Sequence, residues 1–315
     1  MDSEDIAVLV ALMRVEGAGN AVARRALAIA QSLDVQVSEL RETDHREILK
    51  LGAAHAPDSV VKAIKGVHDE ALRRAERHVN RMLHHGVACF TFGEERYPGL
   101  LIRYLADTAP AMLWCVGNLD LLDDRSAGIV GTRSPSPAGH AIAADCARVF
   151  TREGICVVSG GAEGIDTAAH RAALEGGGTS IIVLPQGMRT YTFPQYVRDA
   201  LESNRCAIIS QFDPEMTWQT HAAVTRNATI AAFSKLVCVV EPKRMGGSMR
   251  TAQHAREQGK RVFYYRSEDG AQFAKLFTQS SATPLLRDDQ SLDDRALLSG
   301  WYAAETSQPT QCDLL

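Results

Sequence analysis

The sequence lacks the long apolar runs and paired cysteines that mark membrane proteins and disulfide-rich secreted domains. No apolar stretch approaches the ~18–20 residues that a membrane-spanning helix needs. The first residues, MDSEDIAVLV, are acidic where a secretory signal would be basic. The seven cysteines form no CxxC pair, so they predict neither a disulfide framework nor a zinc site. We therefore expect a cytoplasmic protein with reduced thiols and no membrane partner.

Aromatic residues are also scarce, at 6%, but 45% of the 315 residues are hydrophobic, which suffices for an ordinary globular core. At ~100–200 residues per domain, this length predicts about two domains. The net charge is −4 and is unevenly placed. Residues 267–315 hold eight acidic and three basic residues, whereas residues 1–266 hold 30 acidic and 31 basic residues. A nearly neutral body can still carry a basic patch, so the charge does not exclude a nucleic-acid partner.

Residues 1–85 are predicted to form a small all-α domain. Apolar residues recur at helical spacing over residues 5–14 and 21–33, and Gly17-Ala18-Gly19 separates the two runs. The pattern resembles a SAM-like or helix-hairpin-helix unit, whose glycines let backbone amides approach a DNA phosphate; two packed helices with a turn are the plainer interpretation. Basic residues follow, and we interpret them as a solvated face spread around one long helix: Lys62, Lys65, Arg73, Arg74, Arg77 and Arg81.

Residues 86–266 are predicted to form an α/β domain. Runs at residues 87–92 and 112–116 predict strands added to a larger sheet, with Tyr97 and Trp114 as core aromatics rather than base-stacking platforms. Six apolar runs then alternate with helix-length intervals: AGIVGT, ICVVSG, TSIIVLPQG, CAIISQF, KLVCVVEP and KRVFYY. This alternation predicts an extended Rossmann-like, doubly wound and mostly parallel sheet. Residues 267–315 would be an acidic carboxyl-terminal tail.

Small-residue loops that open directly into helices follow several of these strands. Ligands of parallel sheets bind outside the carboxyl ends of the strands, where glycine amides and helix N-termini favour phosphate. In SGGAEGID the glycines allow close backbone approach and Asp166 could cap the next helix, while Arg133 in GTRSPSPAG could clamp a phosphate. The predicted phosphate or DNA contacts are Gly131, Arg133, Ser159, Gly160, Gly161, Gly164, Asp166, Arg226, Asn227, Gly246, Gly247, Ser248 and Thr251.

No metal-ligand cluster, nucleophile–base pair or P-loop lysine accompanies these loops. The sequence therefore predicts no catalytic residue, no metal and no cofactor. His170 lies on the apolar face of AAHRAAL, where a histidine is more typical of a satisfied core residue than of a general base.

The ordered motifs IVGTR, SGGAEGIDTAAH, TRNATIAAFS, VVEP and GGSMRTAQHA resemble those of the DNA-processing protein A family, DprA or Smf. That family carries VGSR, SGxAxGIDxxAH, RNRxIxxLS, VVEA and SGSxxTAxxA in the same order. The resemblance covers roughly residues 86–265. It implies single-stranded DNA binding, a homodimer, and delivery of the strand to the RecA recombinase during transformation and recombination.

The chain also departs from the family pattern. Ala228 stands where the family usually has a second arginine, and Glu163 places an acid in the glycine loop, where it would repel phosphate unless Arg133 or Arg189 paired with it. After KRVFYY the family's glycine-rich segment is replaced by SEDGAQFAKLF, and the tail is short for the winged-helix domain that many members carry. We therefore expect a divergent or shortened member.

Two other functions remain open at this point. A nucleotide-cleaving enzyme related to the Lonely-guy phosphoribohydrolases could use Glu163 or Asp166 beside the glycine loop, although that group's PGGxGTxxE motif is absent. A nucleotide-sensing regulator that carries out no chemistry is the other alternative.

Overall fold

The computed structural model describes residues 1–51, 57–123, 125–243, 246–265 and 282–306. Its described amino-terminal residues form five α-helices: α1 Ser3–Arg14, α2 Gly19–Leu33, α3 His45–Lys50, α4 Pro57–Gly66 and α5 Asp69–His84. Helix α1 is the buried centre of this group, and Asp2 caps it by accepting the amides of Glu4 and Asp5. Gly17 and Gly19 both adopt positive φ, which turns the chain from α1 into α2. The predicted helix, turn and helix are observed.

A mostly parallel sheet follows. Its described strands are β1 Ala88–Thr91, β2 Met112–Gly117, β3 Ser126–Gly131, β4 Cys156–Ser159, β5 Ser180–Leu184, β6 Cys206–Ser210, β7 Leu236–Val240, β8 Arg261–Tyr265 and β9 Thr283–Pro284. They pair in the order β1-β2-β6-β5-β4-β3-β7-β8-β9. Strands β3 to β8 run parallel to one another, and β1 and β2 extend the sheet antiparallel beside β6. The predicted fold class is confirmed, including the six parallel strands and the two added ones.

Helices cover both faces of the sheet: α6 Gly99–Leu105, α7 Pro137–Arg152, α8 Ile165–Glu175, α9 Gln195–Glu202, α10 Thr220–Phe233, α11 Gly247–Glu257 and α12 Asp294–Thr306. Helices α7, α8 and α12 pack on one face, and α6, α10 and α11 pack on the other. Strand β3 has β4 on one side and β7 on the other, so the strand order reverses there. That reversal is where doubly wound sheets place ligands.

The helical part and the sheet share one apolar core. Buried side chains of α1 and α2 continue into Trp114, Leu184 and Ile208 of the sheet without a break. Tyr97 is buried and donates its hydroxyl to the carbonyl of Pro110 at 2.7 Å, so both Tyr97 and Trp114 are core residues as predicted. The proposed boundary near residue 85 stays a prediction.

Part of the predicted acidic tail is packed against the sheet. Strand β9 pairs with β8, and Trp301 of α12 is fully buried, with its indole Nε1 donating to the Ser126 carbonyl at 3.2 Å. Residues 267–281 and 307–315 of that tail lie outside the described residues. Among the described helices, none is long and apolar enough to cross a bilayer.

The cysteines within the described ranges are free thiols. Burial raises the pKa of Cys156 and of Cys206 to about 12, so both remain protonated and inert at neutral pH.

Candidate nucleic-acid interface

A cleft of about 390 Å³ lies at the carboxyl ends of β3 and β7, where the strand order reverses. The loop after β3, the start of α8, the start of α10 and the start of α11 line it. Its charged lining residues are Arg133, Asp166, Arg226, Lys243 and Arg250. A larger cavity of about 800 Å³ lies between α2 and the end of β1, but none of the predicted contact residues lines it. Four basic groups against one acid make the smaller cleft suited to an anion.

Arg133 extends from a tightly held loop into this cleft. The amide of Thr132 donates to the Val240 carbonyl at 3.3 Å, and the Thr132 carbonyl accepts the Ile165 amide at 3.1 Å. Gly131 has no room for a side chain, because a Cβ there would lie 2.2 Å from the Val240 oxygen. The exposed guanidinium of Arg133 lies over the Trp218 ring, 5.2 Å from its centroid. The loop therefore presents one arginine, stacked on one indole, to solvent.

Trp218 is the residue that the sequence analysis missed. It is 44% exposed, lies two residues before α10, and lines the cleft. An isolated tryptophan in a loop has no periodicity that would separate it from a core aromatic. An exposed indole beside an arginine offers a π-face on which an unpaired base can stack.

The glycine loop after β4 is already occupied by a carboxylate. Asp166 Oδ2 accepts the amide of Gly160 at 3.1 Å and that of Ala162 at 3.4 Å. Gly161 and Gly164 adopt positive φ, which the loop requires. Burial raises the pKa of the Asp166 carboxyl, and the nearby Arg226 charge opposes that rise. Two amides expected to bind phosphate thus bind the protein's own acid.

Arg226 lies beneath the glycine loop instead of projecting into solvent. It is 5% exposed, and its Nη1 donates to the carbonyls of Gly160, at 2.6 Å, and Val183. A Cβ at Gly160 would come within 2.5 Å of this guanidinium, which explains the glycine. Burial lowers the pKa of Arg226 to about 10, and Asp166 opposes the shift. The side chain lines the floor of the cleft and fixes the loop.

Ser159 and His170 lie deeper and turn away from the cleft. The Ser159 hydroxyl donates to the Ile129 carbonyl, which joins β4 to β3. His170 is fully buried, with Nδ1 2.7 Å from the Ser180 hydroxyl, and burial lowers the pKa of His170 to about 3. A neutral, buried imidazole agrees with the interpretation of His170 as a core residue.

The start of α11 forms the wall of the cleft across from Arg133. Gly247 begins the helix, Gly246 before it supplies no side-chain cap, and Ser248 is 9% exposed. Asn227 of α10 donates to the Gly247 carbonyl at 3.1 Å, and Thr251 lies one turn further along the helix. Lys243 and Arg250 flank this helix end. Residues 244–245 of the preceding loop lie outside the described residues.

A second carboxylate occupies the neighbouring helix end, at α7. Glu241 accepts the amide of Ser136 at 2.8 Å and also the Ser136 hydroxyl, and Ser136 caps α7 through the Gly139 amide. Glu241 has φ of +46°, an unfavourable conformation for this residue type that its contacts hold in place. The amino terminus of α7 is therefore neutralised internally, whereas no described carboxylate caps α11.

The predicted contacts thus fall into two groups. Arg133, Gly246, Gly247 and Ser248 lie around the open part of the cleft, while Ser159, Gly160, Asp166 and Arg226 form the packed layer below it. Glu163 is exposed and forms no ion pair with the described residues, because Arg133 stacks on Trp218 and Arg189 pairs with Glu215. No group of three or more metal-ligating side chains occurs within the described ranges.

The chain is similar to known proteins in both sequence and structure. The Mycobacterium tuberculosis putative DNA processing protein DprA (strain H37Rv) is 36% identical over 160 residues, which are 49% of this chain and 40% of the relative. Bacillus subtilis DNA processing protein DprA is 32% identical over 184 residues, 56% of this chain and 60% of the relative. The chain thus spans about half the length of the curated relatives it matches.

Two solved structures share the fold. DNA processing protein A from Streptococcus pneumoniae superposes with a TM-score of 0.71 at 24% identity, covering 95% of this chain and 98% of that one. The Helicobacter pylori protein gives a TM-score of 0.55 at 24% identity, covering 67% and 96%. The family model for DNA recombination-mediator protein A matches residues 88–292. With about 65% of its length matched and the family's fold around the cleft, this chain belongs to the DNA recombination-mediator protein A family.

Proposed function

We propose that this chain binds single-stranded DNA at the cleft, without chemistry on the strand, as part of DNA processing and recombination. The observation that carries the proposal is the exposed Arg133–Trp218 pair, which faces the uncapped amino terminus of α11 across the cleft. An arginine and a helix end suit a phosphate, and an exposed indole suits a base that is free of its partner strand. A duplex keeps its bases stacked inside, so this combination favours a single strand.

Family membership supports the same conclusion. The Helicobacter pylori DNA processing protein A binds single-stranded DNA. The layer beneath the cleft suits binding better than catalysis, because the Asp166 carboxylate is buried and accepts two amides. Glu163, the other acid of the loop, is not among the residues that line the cleft. Asp166 lines the cleft, but its carboxylate is engaged by the loop amides, and this favours binding over acid–base chemistry.

The decisive test removes Arg133. We expect Arg133→Ala to weaken binding of oligothymidine and of mixed-sequence strands by similar factors, because phosphates carry no base identity. The log–log dependence of affinity on salt should lose roughly 0.7 units, the value for one phosphate contact on a single strand. Arg152→Ala is the matched control, since Arg152 is exposed at the far end of α7, about 24 Å of helix away from the cleft. The measurement is fluorescence anisotropy across a salt series.

Two results would overturn this function. One is a wild-type protein without affinity for single strands. The other is an Arg133→Ala variant that binds strands unchanged while the protein binds or cleaves a free nucleotide, which would favour the nucleotide-cleaving or nucleotide-sensing alternative.

The partners implied by the family belong to the same proposal. We infer a homodimer that doubles the DNA-binding surface, and transfer of the strand to a RecA-type recombinase in the cytoplasm, where the free thiols of the described cysteines stay reduced. Light scattering with and without DNA tests the dimer, and a monomer under both conditions would exclude it. Acceleration of recombinase filament formation on the bound strand tests the transfer.

A further inference from the structure

Helix α5 carries an exposed basic stripe. Its buried residues, Ala75, Val79 and Met82, face the helical core. On the opposite side four arginines are exposed, and at 3.6 residues per turn they fall within about 100° of arc. These four define the α5 stripe: Arg73, Arg74, Arg77 and Arg81.

This stripe corrects an interpretation made from the sequence. The basic residues between positions 59 and 85 do not spread around one long helix, because the chain ends α4 at Gly66 and begins α5 at Asp69. Lys62 and Lys65 lie on α4, also exposed, and the four arginines share α5 alone. Gly66 is needed at the break because a Cβ there would lie 2.9 Å from Val15.

Most of the charge on the stripe is uncompensated. Within the described residues, Arg73, Arg77 and Arg81 form no ion pair, and Arg74 pairs only with Glu215, at 3.4 Å. Of the acids of α5, Asp69 in the first turn pairs with Arg41 at 2.9 Å, Glu70 lies on the same arc as the stripe but forms no ion pair with the described residues, and Glu76 lies beside the stripe. Three unpaired arginines on one face leave an excess of positive charge for an external anion.

The stripe is continuous with the cleft through one ionic cluster. Arg14, Arg74, His78 and Arg189 surround Asp213 and Glu215 in the turn after β6, and this set is the Glu215 cluster. Arg74 belongs to both the stripe and the cluster, and without it the cluster's two arginines balance its two carboxylates. Glu215 precedes Trp218 by three residues, so the two Cα atoms are at most about 11 Å apart. A strand stacked on Trp218 can therefore reach α5 across a cluster whose carboxylates are all paired with arginines.

We propose that the α5 stripe is a second contact surface for the same single strand, which leaves the cleft past the Glu215 cluster and lays its phosphates along α5. The inference rests on the proposed function of the cleft and adds the amino-terminal helical part to the binding site. From Arg73 to Arg81 the stripe extends about 12 Å along the helix axis, enough for more than one phosphate. Contacts of this kind add affinity for long strands and none for short ones.

The test uses the double variant Arg77→Gln/Arg81→Gln in the full chain. Affinity is measured for oligothymidines of about six and about twenty nucleotides. The short strand fills only the cleft, whereas the long strand is long enough to reach the α5 stripe as well. We expect the long strand to bind on the order of tenfold more weakly at low salt, with a salt slope smaller by about 1.4 units for two lost phosphates. Affinity for the short strand should stay at the wild-type value.

The control is Lys62→Gln/Lys65→Gln, which removes the same charge from a neighbouring exposed helix and should leave both affinities unchanged. An unchanged affinity of the α5 variant for the long strand would overturn the proposal, and would assign the stripe to an acidic protein partner or to solvent. An equal loss of affinity for the long strand in the control variant would also overturn the proposal, because it would show that only the overall charge of the protein matters. If the wild type binds the short strand and loses it in Arg133→Ala, the cleft function stands whatever the α5 variant does; binding of neither strand overturns both.

Discussion

At the scale of single residues, the buried polar groups beneath the cleft set its shape. Asp166, Arg226 and His170 all lie in motifs that predict phosphate contacts, yet each is nine-tenths or more buried. The hydrogen bonds of Asp166 and Arg226 hold the glycine loop, and that of His170 joins α8 to β5, so substitution of any of the three acts on folding first. Of the two arginines predicted as contacts, Arg133 is the one that meets solvent.

The buried imidazole of His170 predicts a pH dependence of stability. Its pKa is about 3 in the folded chain against 6.5 as the ordinary value, so between these values the unfolded chain binds a proton that the folded chain does not. The free energy of unfolding should therefore fall as pH drops below 6.5, by about 1.4 kcal/mol per pH unit from this group. Urea unfolding at pH 7, 6 and 5 measures the slope.

The variant His170→Gln should show a shallower slope, and His221→Gln, which changes an exposed histidine, should keep the wild-type slope. Asp166 acts in the opposite sense, because its folded pKa is raised above 3.8 and protonation favours the folded state between the two values. Comparison at matched pH cancels that contribution. Equal slopes in wild type and His170→Gln would contradict the assignment.

The sequence predicted the types of residue at the site better than their directions. It identified Arg133 and Arg226 equally, since both follow or enter small-residue segments, but only packing decides that one guanidinium lies under Gly160 and the other over Trp218. The role of Asp166 escaped prediction for a related reason, as a capping acid and a loop-filling acid look the same in sequence. Hydrogen bonds to a loop depend on three-dimensional approach, which spacing alone does not give.

At the scale of elements, strand alternation was readily predicted and helix breaks were not. Near-continuous apolar runs specify parallel strands because both faces of such a sheet are buried. The break between α4 and α5 is marked only by Gly66 and two following residues, and helical periodicity continues on either side. In the loop carrying Trp218, Asp213-Pro214 marks a turn, but nothing in the spacing separates an exposed indole from a core one.

That loop depends on the amino-terminal helices through the Glu215 cluster. Arg14 at the end of α1 donates to both carboxylate oxygens of Asp213, one of them at 2.9 Å, and Asp213 also accepts the amide of Glu215. We expect Arg14→Gln to loosen the turn and to increase collisional quenching of Trp218 by acrylamide. Trp114 and Trp301 are fully buried, so the change in quenching reports on Trp218.

The control for this prediction is Arg41→Gln, which removes another arginine of the helical part that pairs with a carboxylate, Asp69, at 2.9 Å. Ion pairs at the surface contribute little to stability because solvent screens them, so neither variant should unfold the chain. Identical quenching in the two variants would show that the cluster does not position the loop.

At the scale of the whole molecule, the helical part and the sheet contribute buried side chains to one apolar cluster. The sequence predicted a separable domain over residues 1–85, on the basis of a change from helical to alternating patterns. Patterns locate the elements but do not reveal whether two groups of elements bury apolar surface against each other. Ile6 and Leu9 belong to the same cluster as Trp114 and Ile208, so the contact between the parts is apolar as well as ionic.

A fragment that begins at residue 86 tests the boundary. We expect it to fold, because the sheet retains the cores on both faces that α6 to α11 supply, but to melt at lower temperature and to bind a hydrophobic dye on the uncovered surface. Calorimetry and dye fluorescence against the full chain are the measurements. A fragment with wild-type melting and no dye binding would show that the helical part is an independent domain.

The carboxylates of Asp166 and Glu241 accept hydrogen bonds from the glycine loop and from the start of α7. They therefore affect how well a free nucleotide could compete with DNA for the cleft. A free nucleotide concentrates its charge in a short phosphate chain, and tight capture of that chain depends on several converging amides. In this chain, the backbone amides of the glycine loop and of Ser136 already donate hydrogen bonds to Asp166 and Glu241. The affinity of a DNA strand is reduced much less, because it is the sum of contacts to single phosphates spread along a surface. Under the proposed function, small free nucleotides should therefore compete poorly with a single strand for the cleft.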